Sequence, residues 1–188
     1  VQQMVGNHPL DKLEIVYCGG LAKKQTKLLT VTTVIGYLRN ILGSANIINA
    51  LPVAKQKGIE IAETSNDTAK DYANVIEVRF TYEGRVRTIR GTVIGGVPRL
   101  VGLDAFSFDA PLCGDMMYLR YKDTPGVIGI VGNLLGSAGI NIAQMTVSRS
   151  DKCAMMFLSV DSDIPADLVA KVAEEVGTKD VGFLNLVE

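Results

Sequence analysis

The sequence has a single histidine, His8, close to its amino end, and only three cysteines, Cys18, Cys113 and Cys153, set far apart. A lone histidine in a terminal stretch argues against a catalytic imidazole. Three distant cysteines give neither a disulfide framework nor the close spacing of a zinc or iron–sulfur site, and they imply a reducing, cytoplasmic setting. No G-x-G-x-x-G follows a strand-like run and no Walker loop occurs; Gly126, Gly129 and Gly132 fall inside a helical pattern, where small residues let a helix approach a sheet. An excess of either charge is also missing. The net charge is −1 and the pI about 5.9, so there is no global basic field for nucleic acid. Residues 1–11 lack the basic-then-apolar order of a signal peptide, and the absence of a starting Met points to a processed or truncated chain.

One uncharged stretch, Thr124 to Ser148, imitates a membrane span. Pro125, five glycines, Asn133, Asn141 and Gln144 interrupt it, and its period changes halfway, so a buried helix followed by a buried strand accounts for it better than a membrane does.

What is present is ample apolar material: 47% of 188 residues, enough for one or two packed domains without disulfides or metal. Basic residues outnumber acidic ones up to Gly114, and acidic residues predominate from Asp115 onward. The turn-rich loop Asp109 to Asp115 lies at that change and sets an expected division into residues 1–114 and 115–188.

The second part reads as β-α-β-β-α-β. Met116 to Tyr121 is a strand; Thr124 and Pro125 open a helix, with Thr124 as its cap, Pro125 in its first position, and Val127, Val131, Leu134 and Ala138 at helical spacing. Strands follow over Ile140 to Ser148 and Cys153 to Val160, joined by the polar turn Arg149 to Lys152. A second helix starts at Asp163 and Pro165 and stops at Gly177, and Val181 to Val187 closes the set. Right-handed crossovers fold this order into a ferredoxin-like four-stranded antiparallel sheet with both helices on one face. The first part is a separate α+β domain. It has a strand at Leu13 to Gly19, helices over Leu28 to Leu42 and Pro52 to Lys57, and strands at Ile59 to Glu63, Val75 to Tyr82 and Val86 to Ile94. Shorter strands lie near Leu100 and Phe106, and Tyr82-Glu83-Gly84-Arg85 is a hairpin turn.

Asp123-Thr124-Pro125-Gly126, at a strand-to-helix junction, is the sharpest local feature, together with Gly139-Ile140-Asn141 at the entry to the next strand. Unpaired N–H groups at a helix start suit a carboxylate, Asp123 suits an ammonium group, and Asn141 can donate and accept; such a set describes a zwitterionic amino acid. The same residues also serve an ordinary helix end and an ordinary turn. Arg85, Arg87, Arg90 and Arg99 read as a solvated strand face.

The stretch Tyr118-Leu-Arg-Tyr-Lys-Asp-Thr-Pro-Gly-Val-Ile-Gly, followed by Leu134-Leu-Gly-Ser-Ala-Gly-Ile-Asn-Ile-Ala-Gln-Met, resembles an ACT domain, the small-molecule sensor attached to amino-acid biosynthetic enzymes. Leu29-Thr30, then Asn46 to Ile59, then Arg90-Gly-Thr-Val-Ile-Gly-Gly resemble the intervening, allosteric-substrate-binding (ASB) domain of D-3-phosphoglycerate dehydrogenases. ASB followed by ACT resembles the carboxy-terminal regulatory part of the long-form family.

The resemblance implies an effector site at Tyr121, Asp123, Thr124, Pro125, Gly126 and Asn141, with L-serine or another small amino acid as ligand. Tyr121 stands where some members have histidine. It also implies a basic anion-contacting position at Arg99, although Pro111 and Ser159 replace other basic positions. Homo-oligomers formed through ACT sheets are implied, as is an amino-terminal catalytic portion that carries NAD and the catalytic residues. No catalytic or metal-ligating residue is assigned within the 188 positions. A freestanding amino-acid sensor and a serine dehydratase β-type chain are the alternatives.

Overall fold

The computed structural model describes residues 1–5, 8–39, 41–150 and 153–186. In chain order these form α1 (Gln2–Val5), β1 (Lys12–Gly19), a 3-10 turn (Gly20–Lys23), α2 (Lys27–Leu38), α3 (Ala50–Gln56), β2 (Glu60–Asn66), β3 (Asn74–Tyr82), β4 (Arg85–Ile94) and β5 (Val97–Leu103). They continue with β6 (Phe106–Pro111), β7 (Gly114–Lys122), α4 (Val127–Ser137), β8 (Ile142–Ser150), β9 (Cys153–Val160), α5 (Ala166–Val176) and β10 (Asp180–Leu186). Two compact units result, Val1–Asp104 and Ala105–Glu188. The division falls ahead of the Asp109 to Asp115 loop, because β6 packs with the second unit: its Phe108 ring stacks on Phe157 of β9 at 5.4 Å.

In the first unit the strands run in the order β2-β1-β3-β4-β5. β1 and β2 are parallel and are joined through α2 and α3, whereas β3, β4 and β5 add on as antiparallel neighbours. Glu83 (φ 50°) and Gly84 (φ 70°) make the β3–β4 turn, both in the left-handed conformation that a tight two-residue hairpin demands. α2 is rich in β-branched residues, which favour strands, yet it stays helical. The Thr32 hydroxyl donates to the Leu28 and Leu29 carbonyls at 2.9 and 3.0 Å, and the Thr33 hydroxyl to the Leu29 carbonyl at 2.8 Å. Thr30, fully buried, lies 2.6 Å from the Tyr17 hydroxyl, and Val31, Val34 and Leu38 pack on Leu13 and Phe80 of the sheet. The amino end is tied in as well: Val5 and Leu10 are buried, and His8 Nδ1 lies 2.8 Å from Glu83 Oε1.

Arg87 and Arg90 depart from the expected solvated face. The Arg87 Nε is 2.7 Å from Asp104 Oδ2, and Arg90 donates to the Asp104 carbonyl at 2.7 Å, so both cations are held by a residue that sequence distance hides.

The second unit is ferredoxin-like, with strand order β10-β7-β9-β8 and every pair antiparallel. Met117, Leu119, Tyr121, Met156 and Leu158 face Val127, Val131 and Leu135 of α4 and Val172 of α5. Met116, Tyr118, Met155 and Phe157, which alternate with them, are buried too, and Tyr118 and Phe157 stack at 6.1 Å. Strands buried on both faces explain the nearly unbroken apolar runs in β7 and β9. Of the expected turn at 149–152, Arg149 and Ser150 instead continue β8, paired with Ala154 and Cys153, while 151–152 and the last expected strand residue, Val187, lie outside the described residues. No helix among the described residues is long and apolar enough to cross a membrane.

Candidate effector site

β7 ends at Lys122 and α4 begins at Val127, two residues later than Pro125 would place it. Gly126 is the reason. It occupies the cap position at φ 96°, a left-handed conformation that side chains oppose, and Pro125 thereby falls in the connecting turn instead of the first helical position. Thr124 is no cap either; its hydroxyl donates back to the Lys122 carbonyl at 3.3 Å. The first helical hydrogen bond runs from the Ile130 N–H to the Gly126 carbonyl, so the N–H groups of Val127, Ile128 and Gly129 have no partner within the helix.

Asp123 makes no capping bond to α4. Its Oδ2 lies 3.4 Å from Arg149 Nε at the end of β8. Strand register brings these distant residues together. Tyr121 pairs with Ala154 across β7–β9, and Ala154 pairs with Arg149 across β9–β8, so the three side chains stand in one row on the helix-covered face. The small Ala154 leaves the Arg149 arm a path toward Asp123.

These groups line a cleft of about 390 Å³ bounded by Tyr121, Asp123, Thr124, Pro125, Gly126 and Arg149, with Val127, Ile128 and Gly129 at the start of α4. Five expected site residues, Tyr121 through Gly126, are therefore gathered in one place. Arg149 was absent from that set, since in sequence it is one polar residue of a turn. Tyr121 is buried, and its hydroxyl has no hydrogen-bond partner among the described residues. Burial first, then the Asp123 carboxylate, raises its pKa above the usual 10.0, with Arg149 opposing, so at neutral pH the phenol keeps its proton for donation.

Asn141 is not in this cleft. It follows α4, an 11-residue helix about 16 Å long, and so stands at the opposite end from Asp123. Its backbone is fixed by Asp161: the Asn141 N–H donates to Asp161 Oδ1 at 3.1 Å, and its carbonyl accepts the Asp161 N–H at 3.2 Å. Arg99 lies half-buried on β5, opposite Thr92 of β4, away from these residues in sequence and in a different unit. Among the described residues no three His, Cys, Asp or Glu side chains gather as metal ligands.

The chain has relatives whose names are informative. It is 32% identical over 180 residues to D-3-phosphoglycerate dehydrogenase of Methanocaldococcus jannaschii, covering 94% of this chain and 34% of that protein. It is 32% identical over 182 residues to the Bacillus subtilis enzyme of that name (95% and 35%) and 31% identical over 191 residues to the Synechocystis one (99% and 34%). The chain thus spans about a third of the length of the curated relatives it matches. Residues 1–104 match the D-3-phosphoglycerate dehydrogenase intervening domain, and the chain belongs to that family.

Proposed function

We propose that these residues form the regulatory, effector-binding portion of a cytoplasmic D-3-phosphoglycerate dehydrogenase, the oxidoreductase of the first step of L-serine biosynthesis, and that the ferredoxin-like unit is an ACT domain sensing L-serine. The observation that carries this is the cleft itself: a fixed carboxylate on Asp123, a guanidinium on Arg149, a protonated buried phenol on Tyr121 and open N–H groups at the start of α4. A zwitterion needs both charges matched when it leaves water, and this set matches both. Hydride transfer and NAD belong to a catalytic portion joined to this chain; the β7–α4 junction here carries D-T-P-G and no dinucleotide fingerprint.

Asn141 enters the site from a second copy. β8 ends the ladder of the second sheet, and ladder edges invite pairing. Two copies joined antiparallel through β8 about a two-fold axis make one continuous sheet with all helices on one side. In that pairing the Asn141 end of one β8 lies beside the Arg149 end of the other, so each of two equivalent clefts receives the partner's Asn141. Effector bound across the seam stabilises the paired arrangement by its differential affinity, and so restrains the attached catalytic portions.

Calorimetric titration of L-serine into the 188-residue chain tests the reading. Saturable binding with one site per chain is expected, and no heat at millimolar ligand would overturn it. A freestanding sensor would bind equally well, so the reading frame upstream of Val1 in the native gene separates the two: an in-frame dehydrogenase portion is expected.

A further inference from the structure

The Asp123–Arg149 pair is poorly explained as a stabilising contact. Its partners are only 3.4 Å apart at Nε and Oδ2, and 72% of the Arg149 side chain and 30% of the Asp123 side chain remain exposed. An exposed pair of this kind contributes little to stability. It nevertheless lines a cleft, beside Tyr121, and Arg149 arrives there from two strands away across Ala154. A flexible cation brought that far to a carboxylate at a cleft is placed to be displaced.

We infer that Arg149 is the specificity-determining residue of this cleft: it occupies Asp123 while the cleft is empty and takes the ligand's carboxylate when an ammonium group replaces it there. The inference rests on the reading of the cleft as an amino-acid site and adds to it the rule by which ligands are chosen. A bare cation must evict Arg149 and leaves the guanidinium uncompensated. A bare anion finds Arg149 already engaged by Asp123. A zwitterion gives Asp123 a new cation and Arg149 a new anion in one step, so only it restores both partners. Arginine suits this role because its planar fork can hold a carboxylate with two parallel N–H bonds, and the contact it gives up at Asp123 is a long one, 3.4 Å at Nε.

The test compares L-serine with L-serinamide, a cation of nearly the same shape without the carboxylate, binding to the wild-type chain and to Arg149→Gln, Arg149→Lys and Asp123→Ala. Wild type should prefer L-serine. Arg149→Gln should lose about one to two decades of L-serine affinity while L-serinamide binding is kept or improved, so that the preference collapses. Arg149→Lys should recover part of the preference. An unchanged preference in Arg149→Gln, with L-serine still bound and still dependent on Asp123, overturns the role of Arg149 and leaves the amino-acid site standing. Absence of L-serine binding to the wild type overturns the site and the inference together. Arg149 is largely exposed, so circular dichroism of Arg149→Gln should match wild type; loss of preference with altered folding would shift the reading to Arg149→Lys, whose failure to recover any preference would count against the inference.

Discussion

Asp104 Oδ2 lies 2.7 Å from Arg87 Nε, while its Oδ1 accepts the Thr88 N–H at 2.9 Å and its own N–H donates to the Thr88 carbonyl at 2.7 Å. Both ionic side chains are largely buried, and Asp104 holds this position at φ 53°, a conformation that Asp and Asn tolerate better than Ala. Asp104→Ala should therefore cost about 2–3 kcal/mol of unfolding free energy in denaturant, and Asp104→Asn roughly half of that, since the amide keeps the turn and loses the charge. Equal stability of Asp104→Ala and wild type would contradict the pinning role.

Gly182 of β10 faces Tyr118 of β7, and a Cβ built there would lie 2.5 to 2.8 Å from two ring carbons and the hydroxyl oxygen of Tyr118. The glycine is a seat for the ring. Gly182→Ala should destabilise by about 1–3 kcal/mol, the usual cost of overpacking, and thermal unfolding would show it. A neutral or stabilising substitution would mean the ring has room to move.

The Tyr17 hydroxyl lies 2.6 Å from the hydroxyl of Thr30, which is fully enclosed on α2, and donates to the Thr26 carbonyl at 3.3 Å. Tyr17→Phe should cost about 1–2 kcal/mol by leaving the enclosed Thr30 hydroxyl only its long contact of 3.5 Å to the Thr26 carbonyl. Burial also raises the pKa values of Tyr17 and Tyr37 above 10.0 in the folded chain. The native state thus holds these protons more tightly than the unfolded state. Their contribution is complete below the unfolded value of 10.0 and is lost as pH rises through the raised folded values. Denaturant curves should show stability falling as pH rises above about 10, with a smaller fall in Tyr17→Phe. A flat profile would contradict this.

Pairing through β8 requires that the chain not be a monomer. Light scattering should give a mass above 20.2 kDa, and a mass of 20.2 kDa that does not change with concentration would rule out the seam.

The fold of the second unit was legible because its signals are local. Apolar period, Pro165 and Gly177 marked α5, which runs Ala166–Val176 with Gly177 as its left-handed cap. The sequence places the start of α4 two residues early, because a proline just ahead of a glycine looks like a first helical residue. The observed start depends on Gly126 taking a positive φ, which composition does not reveal. Asp123 was legible as a charge beside a helix start. Arg149 was not, because its place in the cleft follows from the register Tyr121–Ala154–Arg149 through two strand pairings, and register is a tertiary quantity. The same reason hid the partners of Arg87 and Arg90.

The central claim is that one cleft is built by two chains, Asp123 from one and Asn141 from the other, and mixing two inactive variants tests it most directly. Asp123→Ala and Asn141→Ala should each bind L-serine at least tenfold more weakly than wild type when alone. Refolded together, they form hybrid pairs in which one seam has lost both residues and the other has both intact. Calorimetry of an equal mixture should then recover wild-type affinity at about one site for every four chains, the value for random pairing. No recovery in the mixture, with each variant defective alone, would place both residues in a single chain's site or in none, and would contradict the account.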